Sequence, residues 1–289
     1  MSELRARVLS AVVAIPLAVG LVYAGGPALA VLLAALGAAA ARELYGLAAK
    51  RGVRPLSAIG VPLAAALPLV VHVHRSGGWI NNPGTTAAVV FVALLGAVLF
   101  SRGVGESPLA CMAVTTFGVL YTGGLLSFGY LLRHHQWTVT AASGAALVGL
   151  PVVITWMSDI GAYAVGKTLG RAKLMPSVSP GKTWAGLVGA LVVSALTAVA
   201  YDIWILRPYA QLTLGWSGAI LFGLVVSIAG QVGDLVESLL KREAGVKDSG
   251  RFLPGHGGAL DRLDSLLFAL PVSYLLLGVQ LQQAGVILP

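Results

Sequence analysis

Apolar residues run along this chain in long stretches separated by short polar, glycine-containing or proline-containing breaks. A helix needs about 20 mainly apolar residues to cross a bilayer. Nine stretches meet that length, at 7–25, 27–46, 56–74, 84–101, 108–132, 145–166, 184–203, 216–239 and 263–285. The pattern predicts an all-α fold, a polytopic integral membrane protein with about nine transmembrane helices. Residues 1–140 are rich in Ala, Leu, Val and Gly, and their only acids are Glu3, Glu43 and Glu106. This half reads as N-terminal transmembrane helices whose small residues let helices approach closely. Residues 141–289 hold the remaining acids and read as a C-terminal transmembrane region that carries the polar residues.

Composition agrees with the pattern. The 289 residues are 57% apolar and 10% charged, whereas soluble domains carry roughly 25% charged residues. The single cysteine, Cys111, excludes an intramolecular disulfide. The opening MSELRARV and the apolar run after it imitate a signal peptide, but the many later spans favour an uncleaved first helix.

Charge adds an orientation. If the N-terminus and the loops after spans 2, 4, 6 and 8 share one side, 16 of the 19 Lys and Arg residues lie there, and only Arg75, Arg133 and Arg207 lie opposite. By the positive-inside rule the N-terminus and the polar loops face the cytoplasm. The net charge of +8 is explained by this topology and by anionic lipid headgroups. No soluble basic domain is present to dock nucleic acid. Trp79, Trp137, Trp204 and Trp216 fall near span ends as interfacial anchors, and His72, His74, His134 and His135 read as exposed loop residues.

The polar residues concentrate in one stretch. Gln231 to Ser265 packs six carboxylates and five Lys or Arg residues into an otherwise apolar chain. Asp234, Glu237, Ser238 and Lys241 recur at i, i+3, i+4 and i+7 and so line one face of a helix, which should stop near Gly245. Gly250, Pro254, Gly255, Gly257 and Gly258 then break regular structure and let backbone approach a ligand. Asp261 and Asp264 follow at i, i+3. This arrangement suits a divalent metal and phosphate.

A second polar stretch runs from Thr155 to Trp184. Asp159 lies well inside an apolar run, where an acid should face a polar cavity and have a partner. Lys167, Arg171, Lys173, Ser177, Ser179, Lys182 and Thr183 form a basic, hydroxyl-bearing segment fit for a polyanion. Gly161 to Thr168, GAYAVGKT, matches the P-loop pattern letter for letter. That loop requires a strand before it and a helix after it, whereas this match straddles the end of a membrane span, so it is rejected as a nucleotide loop.

With both stretches in view, the chain resembles the phosphatidate cytidylyltransferases, or CDP-diacylglycerol synthases. Their signature has the form S-x-aliphatic-K-R, four residues, K-D-x-small, then P-x-H-G-G-aliphatic-x-D-R-aliphatic-D. Ser238, Lys241, Arg242, Lys247, Asp248, Gly250, Pro254, His256, Gly257, Gly258, Asp261, Arg262 and Asp264 occupy matching places, thirteen positions over 27 residues. SDIGAYAVGK and the SPGKTW of Ser179–Trp184 also resemble the family, and the likeness covers roughly residues 150 to 275. Two positions depart from it. Ala259 stands where a larger aliphatic is usual, and Ile160 where a Ser is common.

The resemblance implies a membrane nucleotidyltransferase that converts CTP and phosphatidate to CDP-diacylglycerol and pyrophosphate in phospholipid synthesis. It implies Mg²⁺ and admits K⁺. Asp234 and Asp261 are the expected first metal ligands, with Asp264, Asp248 and Asp159 beside or behind them and Glu237 behind them or paired with Lys241. Lys241 and Arg262 join the catalytic set, and Lys167, Lys173, Ser179, Lys182, Ser238, Arg242, Lys247 and His256 are the expected substrate-binding residues. His256 is expected to orient phosphate or hold its loop, because a phosphate nucleophile needs no general base. Membrane lipids are the expected surroundings, and a homodimer is compatible. Two other readings stay open: an ion- or proton-coupled transporter using the intramembrane acids, and a related enzyme acting on an isoprenoid lipid.

Overall fold

A computed structural model of the chain describes residues 3–78, 82–250 and 257–283. Ten α-helices account for most of it: α1 (Glu3–Ala24), α2 (Gly26–Lys50), α3 (Ser57–Arg75), α4 (Pro83–Ser101), α5 (Pro108–Gly118), α6 (Leu125–Arg133), α7 (Ala141–Leu169), α8 (Trp184–Tyr201), α9 (Gly215–Glu243) and α10 (Leu260–Gln283). A π-helical stretch at Val119–Gly124 joins α5 to α6, so Pro108–Arg133 forms one span. Another, Asp202–Ala210, extends α8. Among the described residues eight helices are long and apolar enough to cross a membrane, and Val12–Ala24 is a shorter apolar helix at the place of the first expected span. The all-α membrane reading therefore holds.

One element was not foreseen. Strands β1 (Lys173–Met175) and β2 (Ser179–Thr183) form an antiparallel hairpin pairing Lys173 with Thr183 and Met175 with Ser179. Thr183 ends the hairpin and starts α8, its Oγ1 accepting the Gly186 N–H at 3.1 Å. A β-branched hydroxyl residue serves both purposes, since it suits extended backbone and caps a helix.

The chain forms two compact units. The first comprises Met1–Tyr130 and Leu240–Leu263, the second Leu131–Leu239 and Asp264–Pro289. In the first, Leu29, Ala30 and Leu33 of α2 bury against Tyr130, and Ala41 and Tyr45 against Ala64 of α3. Small residues permit this packing. A methyl at Gly37 would lie 3.3 Å from the Gly123 Cα, and one at Gly60 or Gly118 would enter the Tyr45 ring. Tyr45 Oη in turn donates to the Thr115 carbonyl at 2.8 Å.

In the second unit α7 packs along α8 through facing glycines, Gly161 against Gly189 and Gly166 against Gly186. This is the small-residue interface expected where the surroundings are as apolar as the side chains themselves. Asp202, 1% exposed, accepts from Arg207 Nη2 at 2.8 Å, Thr213 Oγ1 at 3.1 Å and the Leu214 N–H at 2.7 Å. Its charge is balanced by Arg207 and its lone pairs are used, as a buried carboxylate requires.

None of the four histidines expected as exposed loop residues, His72, His74, His134 and His135, is exposed. His72 and His74 lie within α3, and His72 Nδ1 is 2.6 Å from Tyr130 Oη. His135 is 5% exposed and meets Tyr274 edge-on. An imidazole keeps an apolar body and a polar tip, so it can pack inside an apolar bundle wherever its nitrogen has a hydroxyl to meet.

Candidate active site

α9 carries the acidic face the spacing predicted, and within the second unit it meets the first turns of α10. Gly233, buried in α9, allows the approach, since a methyl there would strike the Asp264 carbonyl oxygen and crowd Phe268. One carboxylate oxygen each from Asp234, Glu237 and Asp264 comes within 4.8 Å of the others, with Glu237 fully buried. The donors are all carboxylate oxygens, hard ligands that suit Mg²⁺ or Ca²⁺ and not a soft transition metal. The residues present therefore fit a divalent cation.

The hairpin brings a cation to the same place. Lys182 Nζ on β2 is 2.9 Å from Asp234 Oδ2 and donates to the Gln231 carbonyl at 3.2 Å. Ser238 Oγ donates to Asp234 Oδ1 at 3.1 Å, and Gln231 Nε2 to Asp159 Oδ1 at 3.4 Å. Asp159 thus has the partner its position demanded. Asp159, Tyr163, Lys182, Thr183, Gln231 and Asp234 line a cleft of about 200 Å³. It offers one lysine, two acids and hydroxyls around a concave surface, which suits a phosphate held together with a cation.

Asp261 has different company, within the first unit. Its Oδ1 accepts from Lys241 Nζ at 2.7 Å, and its Oδ2 accepts the Ser249 N–H at 3.0 Å, Ser249 Oγ at 3.0 Å and the Gly258 N–H at 2.8 Å. Gly257, at φ +85°, makes the turn that precedes the Gly258 N–H. Beside Asp261 lies Glu43 of α2, whose Oε1 accepts the Ala259 N–H and whose Oε2 accepts the Leu260 N–H and Ser249 Oγ, all at 2.9 Å. The sequence offered little reason to choose Glu43, an acid in an otherwise uninformative apolar half. Gln231 and Ser249 were also missed, since a neutral polar residue carries no signature by itself.

The other expected residues are more dispersed. Lys173 is exposed on β1, and Ser179 opens β2 half-buried. Arg242 is exposed and its Nη1 donates to the Val246 carbonyl at 3.4 Å, while Lys247, Asp248 and Arg262 are exposed as well. His256 lies outside the described residues, as do Arg251, Pro254, Gly255 and Trp79. Lys167 lies on exposed α7 surface over the Tyr163 ring, its Nζ 5.5 Å from the ring centroid and 3.3 Å from Tyr163 Oη. Gly161–Thr168 is helical throughout within α7. Interior helical N–H groups are bonded to carbonyls four residues back, so this segment cannot cradle phosphate as a P-loop does.

Comparison with known proteins extends the resemblance beyond the C-terminal signature. Phosphatidate cytidylyltransferases of Staphylococcus haemolyticus and Staphylococcus aureus are 32% and 31% identical over 276 and 286 residues, in each case 95% of this chain and 99% of theirs. The phosphatidate cytidylyltransferase of Bacillus subtilis is 46% identical over 136 residues, 47% of this chain and 49% of that protein. A family model described as the cytidylyltransferase family matches residues 5–280. The N-terminal helices are therefore included in the likeness, and the chain belongs to the cytidylyltransferase family.

Proposed function

We propose that the protein is an integral membrane enzyme that joins CTP to phosphatidate, giving CDP-diacylglycerol and pyrophosphate. The observation that carries this reading is the likeness, over 95% of the chain, to a protein named phosphatidate cytidylyltransferase. No comparable observation favours a transporter.

The reaction forms a bond from a phosphatidate phosphate oxygen to the α-phosphorus of CTP and breaks the α–β bridge, so pyrophosphate departs. The nucleophile needs no base, because a phosphate monoester has a second pKa near 6 and is largely ionised at neutral pH. The demand on the protein is to bring polyanions together and hold them in line. Asp234, Glu237 and Asp264 would hold Mg²⁺, which when bound supplies positive charge against the phosphate oxygens and the departing pyrophosphate. Lys182, beside Asp234 in the cleft, is best placed to hold a triphosphate oxygen there. Lys173, Arg242, Lys247 and Arg262 supply further positive charge on exposed surface. Lys241 serves through Asp261, whose charge it balances. Asp159 contributes through Gln231. A K⁺ ion stands on the resemblance alone.

The site faces the cytoplasm of the plasma membrane, where CTP is found, in keeping with the 16 to 3 distribution of basic residues. Replacing Cys111 and placing a single cysteine at Lys247 tests this. The thiol is expected to react only when reagent reaches the cytoplasmic face, and labelling from outside overturns the orientation.

The activity is tested with purified protein, labelled CTP, phosphatidate and Mg²⁺. Formation of CDP-diacylglycerol with release of pyrophosphate is expected. Turnover of an isoprenoid phosphate with none of phosphatidate would move the assignment to the related lipid.

A further inference from the structure

α10 begins at Leu260, so Ala259 occupies the position where a Ser, Thr, Asp or Asn side chain ordinarily takes up an unpaired helix N–H. Alanine has nothing to offer. Another helix supplies an acceptor at this helix end, to the N–H groups just before those a cap residue would take: Glu43 takes the N–H groups of both Ala259 and Leu260, one on each carboxylate oxygen, and Ser249 Oγ as well. Its negative charge also lies at the positive end of the α10 dipole.

The loop is shaped around this carboxylate. A methyl on Gly250 or on buried Gly258 would run into the Glu43 carboxylate, so both glycines leave the room it fills. Ser249 ties Glu43 to Asp261, since its hydroxyl is 2.9 Å from one and 3.0 Å from the other and carries a single proton to share.

We propose that Glu43 is a positioning residue for nucleotidyl transfer, holding the first turn of α10, and with it Asp261 and Arg262, through the backbone at Ala259 and Leu260. It touches no substrate. The proposal rests on reading that turn as part of the transfer site, and it places a functional requirement in the N-terminal helices.

The experiment uses full-length protein with Glu43→Gln, and Ser249→Ala as a milder variant that removes one of the three donors. Amide hydrogen exchange is measured on the peptide spanning 257–263 without nucleotide or metal, and kcat and KM for CTP are measured separately. Glu43→Gln is expected to speed exchange at Ala259 and Leu260 about tenfold with α3 unchanged. It should lower kcat by about 10–100-fold, the range for residues that orient others in a site, with KM for CTP moving less than about threefold on the same reasoning. Ser249→Ala should fall between Glu43→Gln and the parent. Unchanged exchange in Glu43→Gln overturns the positioning role, and faster exchange with unchanged kcat overturns its link to turnover. A parent protein that makes no CDP-lipid sinks the functional reading and the catalytic half of this proposal, while the exchange result still decides whether Glu43 caps α10.

Discussion

Lys182 on the β-hairpin and Asp234 on α9 form an ion pair of 2.9 Å, reinforced by the bond from Lys182 to the Gln231 carbonyl at 3.2 Å. The side chains are 16% and 30% exposed, so solvent screens part of the attraction. A double-mutant cycle with Lys182→Met and Asp234→Asn should give a coupling of about 0.5–1 kcal/mol in denaturation. Lys182→Met should also cost CDP-lipid formation at least about 10²-fold, the loss typical of one charged donor to a transition state. Strictly additive stability losses would show that the pair does not join hairpin to helix.

Asp234 and Asp261 are expected to fail in different ways. Asp234→Asn removes one of three converging carboxylates without creating a cavity, so the protein should stay folded and lose Mg²⁺-dependent turnover. Asp261→Asn disturbs a carboxylate that accepts from Lys241, Ser249 and Gly258. Its stability should fall by about 1–3 kcal/mol, as for a broken hydrogen bond to a charged group, together with activity. Chemical denaturation beside a Mg²⁺ titration separates the two, and an Asp261→Asn protein as stable as its parent would contradict the loop-holding role.

Gly233 sets the separation of α9 and α10 near the carboxylate trio. Gly233→Ala forces the Cβ toward the Asp264 carbonyl and should destabilise by about 1–3 kcal/mol as overpacking does. Because Asp234 and Asp264 move apart in response, turnover should need more Mg²⁺. Normal Mg²⁺ dependence in this variant would argue against Asp264 as a ligand.

Lys167 is the lysine of the accidental P-loop match and lies exposed on α7. The protein should show no ATP hydrolysis, and Lys167→Ala should change stability by less than about 0.5 kcal/mol, the usual range for surface substitutions. ATPase activity abolished by Lys167→Ala would restore the nucleotide-loop reading.

The spans, the acidic face of α9 and the family were legible in the sequence because each depends on local order. Hydropathy over some twenty residues is a property of one segment, and Asp234, Glu237 and Ser238 share a face through helix geometry alone. The same locality explains what was missed. Glu43 is separated by 216 residues from the N–H it caps at Ala259, and nothing in its own surroundings distinguishes it from a surface acid near a helix end. The Lys182 to Asp234 pair depended on a hairpin whose three- and five-residue strands are too short to show a period. Asp261 and Asp264 looked equivalent at i, i+3, yet Asp261 is engaged by Lys241, Ser249 and Gly258 while Asp264 joins the carboxylate trio. Sequence alone determined which residues had to leave the apolar phase and which shared a helix face. Only the tertiary structure decided which of them meet, because hydrogen bonds and ion pairs between distant residues depend on the packing of helices that composition leaves unspecified.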